Sequence, residues 1–161
     1  MRGCYAPLSP IEAFELGLGA MVRLGTYGDP AAIPGKYWDD ILLGATGHTG
    51  YSHQANFEGS AFRPDLVMTS ADSLEAARLA WSKGQRTFRV VADVSELLKG
   101  LEILCPASKE AGRRTTCNHC MLCSGNKVKA KSIAIPDHGL QAKRLNALFT
   151  RSSSNQERIA S

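Results

Sequence analysis

Four of the chain's five cysteines fall between residues 105 and 123. Cys105, Cys117, Cys120 and Cys123 are spaced C-x11-C-x2-C-x2-C, while Cys4 stands apart. Thiolate is the ligand form of cysteine, and it suits zinc and iron–sulfur clusters. A two-residue gap lets neighbouring cysteines in a turn point at one centre. Three of them, with a fourth brought in from a distance, complete a set of four sulfurs. Pro106 stiffens the remote ligand, and Gly112 and Gly125 let the chain fold round. The stretch between has no core of its own, and a bound metal would supply one. Four unrelated structural cysteines would not crowd into so apolar-poor a loop. The four are expected to share one metal, and Cys4 is not.

Two centres fit this spacing. A tetrahedral zinc site needs only four sulfurs at about 2.3 Å. A [4Fe-4S] cluster also takes four cysteines, and C-x2-C-x2-C is its familiar run. The two separate C-x2-C knuckles of a zinc ribbon are missing. The balance tips to Zn(2+), because a small basic module needs no redox centre, with [4Fe-4S] as the alternative. His119 lies between two ligands. It could replace one of them, but it reads better as a neighbour of the site or a surface residue.

A second group of side chains follows from element order. Parallel α/β sheets gather functional groups at the carboxyl ends of their strands. That rule selects Tyr27 and Asp29, then His53 and Gln54, then Ser70 and Asp72, then Asp93. Asp29, His53, Gln54 and Ser70 are the candidate catalytic rim. Each also has a plain structural reading. Asp29 closes a turn, Asp72 or Ser73 caps a helix, and His53 makes a satisfied bond. Only their common placement raises a site above those readings.

The elements that would position both groups alternate along the chain. "SPIEAFELG" opens a helix, with Ser9 as N-cap, Pro10 at the first position and Glu12 closing a capping box. "MVRLGTYGDP" is a buried strand running into a tight loop. "PGKYWDDILLGATG" is a helix with Tyr37, Trp38, Ile41, Leu42 and Ala45 on one face. "TGYSHQA" is a polar strand and "PDLVMTSAD" a clearer one. "DSLEAARLAWSKG" is a helix in which Asp72 and Glu75 resemble a capping box and Gly84 marks the end. "RTFRVV" is a strand, "DVSELLKG" a short helix, and "LEIL" a strand leading into Cys105. "KVKAKSIAIP" alternates and predicts a strand with one basic face. "HGLQAKRLNALF" is a last helix, and "TRSSSNQERIAS" a mobile tail.

This order predicts an α/β fold with a largely parallel sheet, partly barrel-like, carrying a Cys4 loop and a C-terminal helix. Residues 1–104 form the sheet region and 105–126 the cysteine module. Residues 127–150 add a final strand and helix, and 151–161 are a flexible tail. At 161 residues this is one domain, long enough to bury a core. No apolar run is long enough to span a membrane, and the start has no apolar signal region. A cytoplasmic setting follows, where clustered cysteines mean metal or redox chemistry.

Charge is uneven. Residues 1–104 hold nine Lys and Arg against twelve Asp and Glu; residues 105–161 hold ten against three. Arg113 and Arg114 precede the triplet, and Lys127, Lys129 and Lys131 alternate after it. These five are the candidate phosphate-binding residues for DNA or RNA. Phe149 is the one aromatic residue of that basic third, so base stacking is not advertised.

With these stretches in hand a resemblance emerges. "VRLGTYGDPAAIP", "HTGYSHQ", "TSADSLEAARLAWSKGQRTFRVV" and "LCPASKEAGRRTTCNHCMLCSG" resemble segments of an uncharacterised family of phage- and plasmid-encoded cysteine-cluster proteins. That family is remotely similar to phage radical-SAM-like proteins. The resemblance covers roughly residues 4–139, and its most specific part is Cys105-Pro106 with the cysteine triplet. Radical-SAM enzymes carry an N-terminal C-x3-C-x2-C motif, which this sequence lacks. The resemblance therefore implies a member shortened at its N-terminus, or its C-terminal half. A sheet missing its first strands would leave an edge for self-association or a partner.

Three functions follow as expectations. The first is a metal-binding protein of a phage or mobile element that carries a basic surface onto nucleic acid. The second is a truncated radical-SAM-like enzyme, or one acting through the rim. The third is a small phage protein that binds and inhibits a host protein, in the host cytoplasm.

Overall fold

Ser9 Oγ accepts a hydrogen bond from the Glu12 N–H, and the Glu12 carboxylate accepts the Ser9 N–H at 2.8 Å. This capping box starts α1 (Pro10–Gly17), with Pro10 where its missing N–H costs nothing. The computed structural model describes residues 7–137. The predicted C-terminal helix, the tail and Cys4 lie outside them.

After α1 come β1 (Met21–Leu24), α2 (Gly35–Leu43), β2 (Gly47–Ser52), β3 (Met68–Ala71), α3 (Leu74–Ser82) and β4 (Thr87–Val91). Then follow β5 (Glu102–Leu104), the single turn α4 (Cys117–Cys120) and β6 (Ser132–Pro136). Every strand pairing is parallel, and the six strands lie in the order β1-β2-β3-β4-β6-β5. The fold is α/β, as its alternation predicts, and the sheet is open, with β1 and β5 at its edges.

That order explains where the cysteines go. From β1 to β4 the chain steps one way across the sheet. It then passes to the outer β5 and steps back to β6. A right-handed crossover taken in the reverse direction covers the opposite face of a sheet. The β5–β6 crossover is the cysteine segment.

Alternation along the strands sorts the two faces. Leu24, with Leu66 and Val67 of the loop before β3, packs against Trp38 and Leu42 of α2 and against Phe62. On the same face the Trp81 ring N–H of α3 donates to Thr87 Oγ1 and Ser132 Oγ. The other face carries Met68 and Ile133, with Tyr51, Phe88 and Ile135, packed under Cys105, Leu122 and Cys123. Met68 and Ile133 are fully buried, a contribution of roughly 1.5–3 kcal/mol each.

One ion pair ties the last strands together. The Arg89 guanidinium of β4 donates from Nε and Nη2 to both oxygens of Glu102 on β5, at 2.8 and 2.7 Å. It reaches across the fully buried Ala134 of the intervening β6. The Leu98 N–H also donates to Glu102 Oε2.

Several expectations are corrected. Helix α3 is capped by Ser73, which accepts the Ala76 N–H, rather than by an Asp72–Glu75 box. "DVSELLKG" forms only the 3-10 turn Val94–Glu96, capped by Asp93. The polar strand β2 begins at Gly47, two residues early. A Cβ on Gly50 would stand 2.8 Å from Val67 Cγ1 and 2.9 Å from Leu24 Cβ, so its small residues reflect close packing.

The strand with a basic face is not formed. Lys127 ends the 3-10 turn Gly125–Lys127, and regular pairing starts only at Ser132. Gly125 adopts φ 72°, with Pro64 O 2.7 Å from where a Cβ would sit. Arg86 binds the carbonyls of Gly125 and Lys131 and holds the segment as a loop. Alternation of Lys127, Lys129 and Lys131 in sequence therefore does not place them on one strand face.

Candidate metal centre

Cys105 follows directly on β5, at the carboxyl end of that strand. Its N–H donates to Ala134 O at 2.8 Å, and its carbonyl accepts the Ser108 N–H. The chain turns through Gly112 at φ 63° and reaches α4. Cys117 and Cys120 stand at the two ends of that one turn, closed by Met121 N–H to Cys117 O. Met121 itself takes the left-handed conformation at φ 50°, which redirects the chain toward Cys123. The Gly50 N–H of β2 then donates to Cys123 O at 2.9 Å, and Ser124 Oγ donates to His48 O. The triplet is thus fastened to the sheet at its far end, and Cys105 at its near end.

The four cysteines line one cavity of about 210 Å³ between the crossover and the sheet. Its floor is Tyr51, Phe88, Ile133 and Ile135; Arg23 and Thr49 also line it. Tyr51 and Phe88 stack with centroids 4.6 Å apart and planes 10° off parallel. Arg23 lies over the Tyr51 ring and donates to its hydroxyl. Cys105 is buried, Cys120 and Cys123 half-buried, and Cys117 exposed. Among the described residues no three His, Cys, Asp or Glu side chains converge on a single ion.

Cys105 and Cys123 feel the charge of the neighbouring cysteines. Burial pushes the Cys105 thiol up, and Cys117 and Cys120 push it further. Cys123 is pushed up to about 12, first by burial and then by its three neighbours, with Arg86 opposing. His119 does not line the cavity. Its Nδ1 is 2.9 Å from Thr116 Oγ1 on an exposed surface, so it fits the role of a surface neighbour.

The rim residues come together at the strand ends. Asp29 Oδ1 accepts from Ala31 N–H at 2.9 Å and from Ser52 Oγ at 2.6 Å, while Oδ2 accepts the His53 N–H at 2.8 Å. The Gln54 N–H donates to Ser52 Oγ, and His53 Nε2 is 3.0 Å from Ser70 Oγ. Asp72 Oδ1 lies 3.3 Å from the same His53 nitrogen. A hydroxyl–imidazole–carboxylate relay needs its two partners on opposite ring nitrogens. Here both crowd Nε2, so the geometry does not activate Ser70. Asp93 caps its own turn and Tyr27 is fully exposed.

Asp29 is a fastener between the β1 and β2 loops. Asp29→Asn would present an NH2 to one of its donors. It is expected to lower stability by roughly 1–3 kcal/mol in urea denaturation; an unchanged midpoint would contradict this role.

The five basic candidates lie in loops and turns rather than on a strand. Arg113 and Arg114 are exposed in the loop before α4, and Lys129 and Lys131 are exposed before β6. Lys127 pairs with Asp65 at 3.5 Å, beside the Arg63–Asp65 bridge.

No protein-family model, curated protein or solved structure matches the chain. The site must therefore be read from its own chemistry.

Sequence reasoning missed Arg86, Arg23, Tyr51 and Phe88. The alternation in "TFRVV" and "TGYS" could have paired Phe88 with Tyr51 on one face. Nothing in the sequence signals Arg86, because its partners are backbone carbonyls.

Proposed function

We propose that the chain is an iron–sulfur protein acting in electron transfer. Cys105, Cys117, Cys120 and Cys123 would hold a [4Fe-4S] cluster over the sheet. The observation carrying this reading is that four cysteines from two stretches line one apolar cavity of about 210 Å³, room for more than a single ion. A cluster gives each thiolate its own iron, so its sulfurs stand apart round a body that fills space. A zinc ion would draw four sulfurs to about 2.3 Å and needs no such cavity. The Cys105-Pro106 step and the C-x2-C-x2-C run support the same choice.

Bound there, the cluster would supply a one-electron carrier. Four cysteines leave no iron open for a substrate, which favours electron passage over the SAM chemistry that the family resemblance suggests. Exposed Cys117 would put one edge of the cluster near a redox partner. The apolar floor would keep water from the remaining edges, and burial is one of the levers on cluster potential. The nucleic-acid reading loses its strand-borne lysine stripe and keeps only a charge excess. For a host-protein inhibitor no feature of the described residues speaks directly. Among those residues, no helix is long and apolar enough to cross a membrane.

Single substitutions to serine test the ligand set. Cys105→Ser, Cys117→Ser, Cys120→Ser and Cys123→Ser, purified without oxygen, are each expected to lose most of the iron and the visible absorption. Full iron retention in Cys105→Ser would remove the remote ligand and defeat the four-cysteine assignment.

A further inference from the structure

Arg86 is 9% exposed, yet no carboxylate among the described residues pairs with it. Its Nη1 donates to Leu122 O and Gly125 O, both at 2.8 Å, and Nη2 to Lys131 O at 2.7 Å. Its Nε is buried without a partner. A guanidinium stays protonated in proteins. A buried charge is costly unless paired, and carbonyl oxygens supply dipoles but no countercharge. Among the described residues the other buried guanidinium, Arg89, has its carboxylate in Glu102. Arg86 is therefore the exception to be explained.

Its bonds straddle Cys123, accepting residues lying on either side of that cysteine. Burial presses the Arg86 guanidinium below its ordinary value, and the charge of Cys123 pulls it back up. The fork grips the chain on both sides of Cys123, so an anion held at the cysteine site would balance Arg86.

We propose that Arg86 is the built-in countercharge of that site, a positioning residue that holds the Cys123 arm and offsets the negative charge of a metal–thiolate centre. This rests on the cluster reading above. Four thiolates around [4Fe-4S] leave the centre anionic, and one-electron reduction adds a further negative charge. A fixed cation behind Cys123 favours the reduced form. Arg86 also fastens the crossover, because one side chain gathers three carbonyls from residues 122 to 131.

The test compares wild type, Arg86→Lys and Arg86→Gln, reconstituted with iron and sulfide under anaerobic conditions. Midpoint potentials are read by dye-mediated titration, and unfolding by urea. Arg86→Gln is expected to shift the equilibrium at least tenfold toward the oxidised cluster, which is 59 mV for one electron. Arg86→Lys keeps the charge but loses the fork. It is expected to stay within threefold of wild type in that equilibrium while unfolding at lower urea. Equal potentials in wild type and Arg86→Gln would overturn the proposal. So would loss of the cluster in both variants alike, since packing alone would then explain Arg86. A wild-type protein that takes up no cluster would instead refute the parent reading.

Discussion

Glu102→Gln is expected to destabilise the protein by about 3–5 kcal/mol, the cost of leaving a buried guanidinium unpaired. The Glu102 side chain is fully buried and Arg89 nearly so, and their two bonds span β6 to link β4 with β5. Cys105 hangs on the end of β5, so the loss should reach the cysteine-lined cavity as well. Replacing both partners with apolar residues, as Arg89→Met with Glu102→Leu, should cost much less than the sum of the single changes. The pH dependence has a definite sign. Burial raises the Glu102 carboxyl, but the Arg89 bonds and the Leu98 N–H lower it further, leaving it below its ordinary 4.5. A depressed carboxylate stabilises the fold above its unfolded value. That stability is lost as pH falls through the folded value, so acid unfolding should begin below about pH 4.5. In Glu102→Gln this acid-dependent component should vanish. Urea midpoints across pH would check both statements, and an unchanged acid limb in the variant would count against them.

Stripping the metal is expected to release residues 105–131 while leaving the helical side of the sheet folded. The crossover rests on few buried apolar groups of its own, chiefly Cys105 and the partly buried Leu122 and Cys123. Metal-binding free energy is folding free energy for such a loop. Tryptic cleavage after Arg113 and Arg114 should accelerate by at least about tenfold on treatment with an iron chelator and reductant, because proteolysis follows the open population. The Leu24–Trp38 cluster should persist, visible as unchanged far-ultraviolet circular dichroism from α2 and α3. Equal cleavage rates with and without chelator would mean that the crossover stands without a metal.

The parts of this fold that read from sequence are those governed by local chemistry. Ser9, Pro10 and Glu12 specify a helix start within four residues, and α1 begins there. The stretches at Met21, Met68 and Thr87 become β1, β3 and β4, with Leu24, Met68 and Val91 among the buried side chains they contribute. The meeting of Asp29, His53 and Ser70 followed from strand order alone. What did not read was set by distant partners. "KVKAK" alternates like a strand, but Gly125 packed on Pro64 and the Arg86 fork hold it as a loop. Asp72 looks like a cap, yet Ser73 takes the cap and Asp72 faces His53. The cysteine spacing announced a centre, but the cavity around it depends on Tyr51 and Phe88, far away in sequence. That cavity, rather than the spacing, is the ground for proposing a cluster in place of zinc.

Whether these four cysteines hold an iron–sulfur cluster is decided by the iron, sulfide and zinc content of protein purified without oxygen. A bound [4Fe-4S] cluster would give a brown protein with about four iron and four acid-labile sulfide per chain, bleached by dithionite. A colourless folded protein carrying one zinc per chain, or no metal at all, would contradict it.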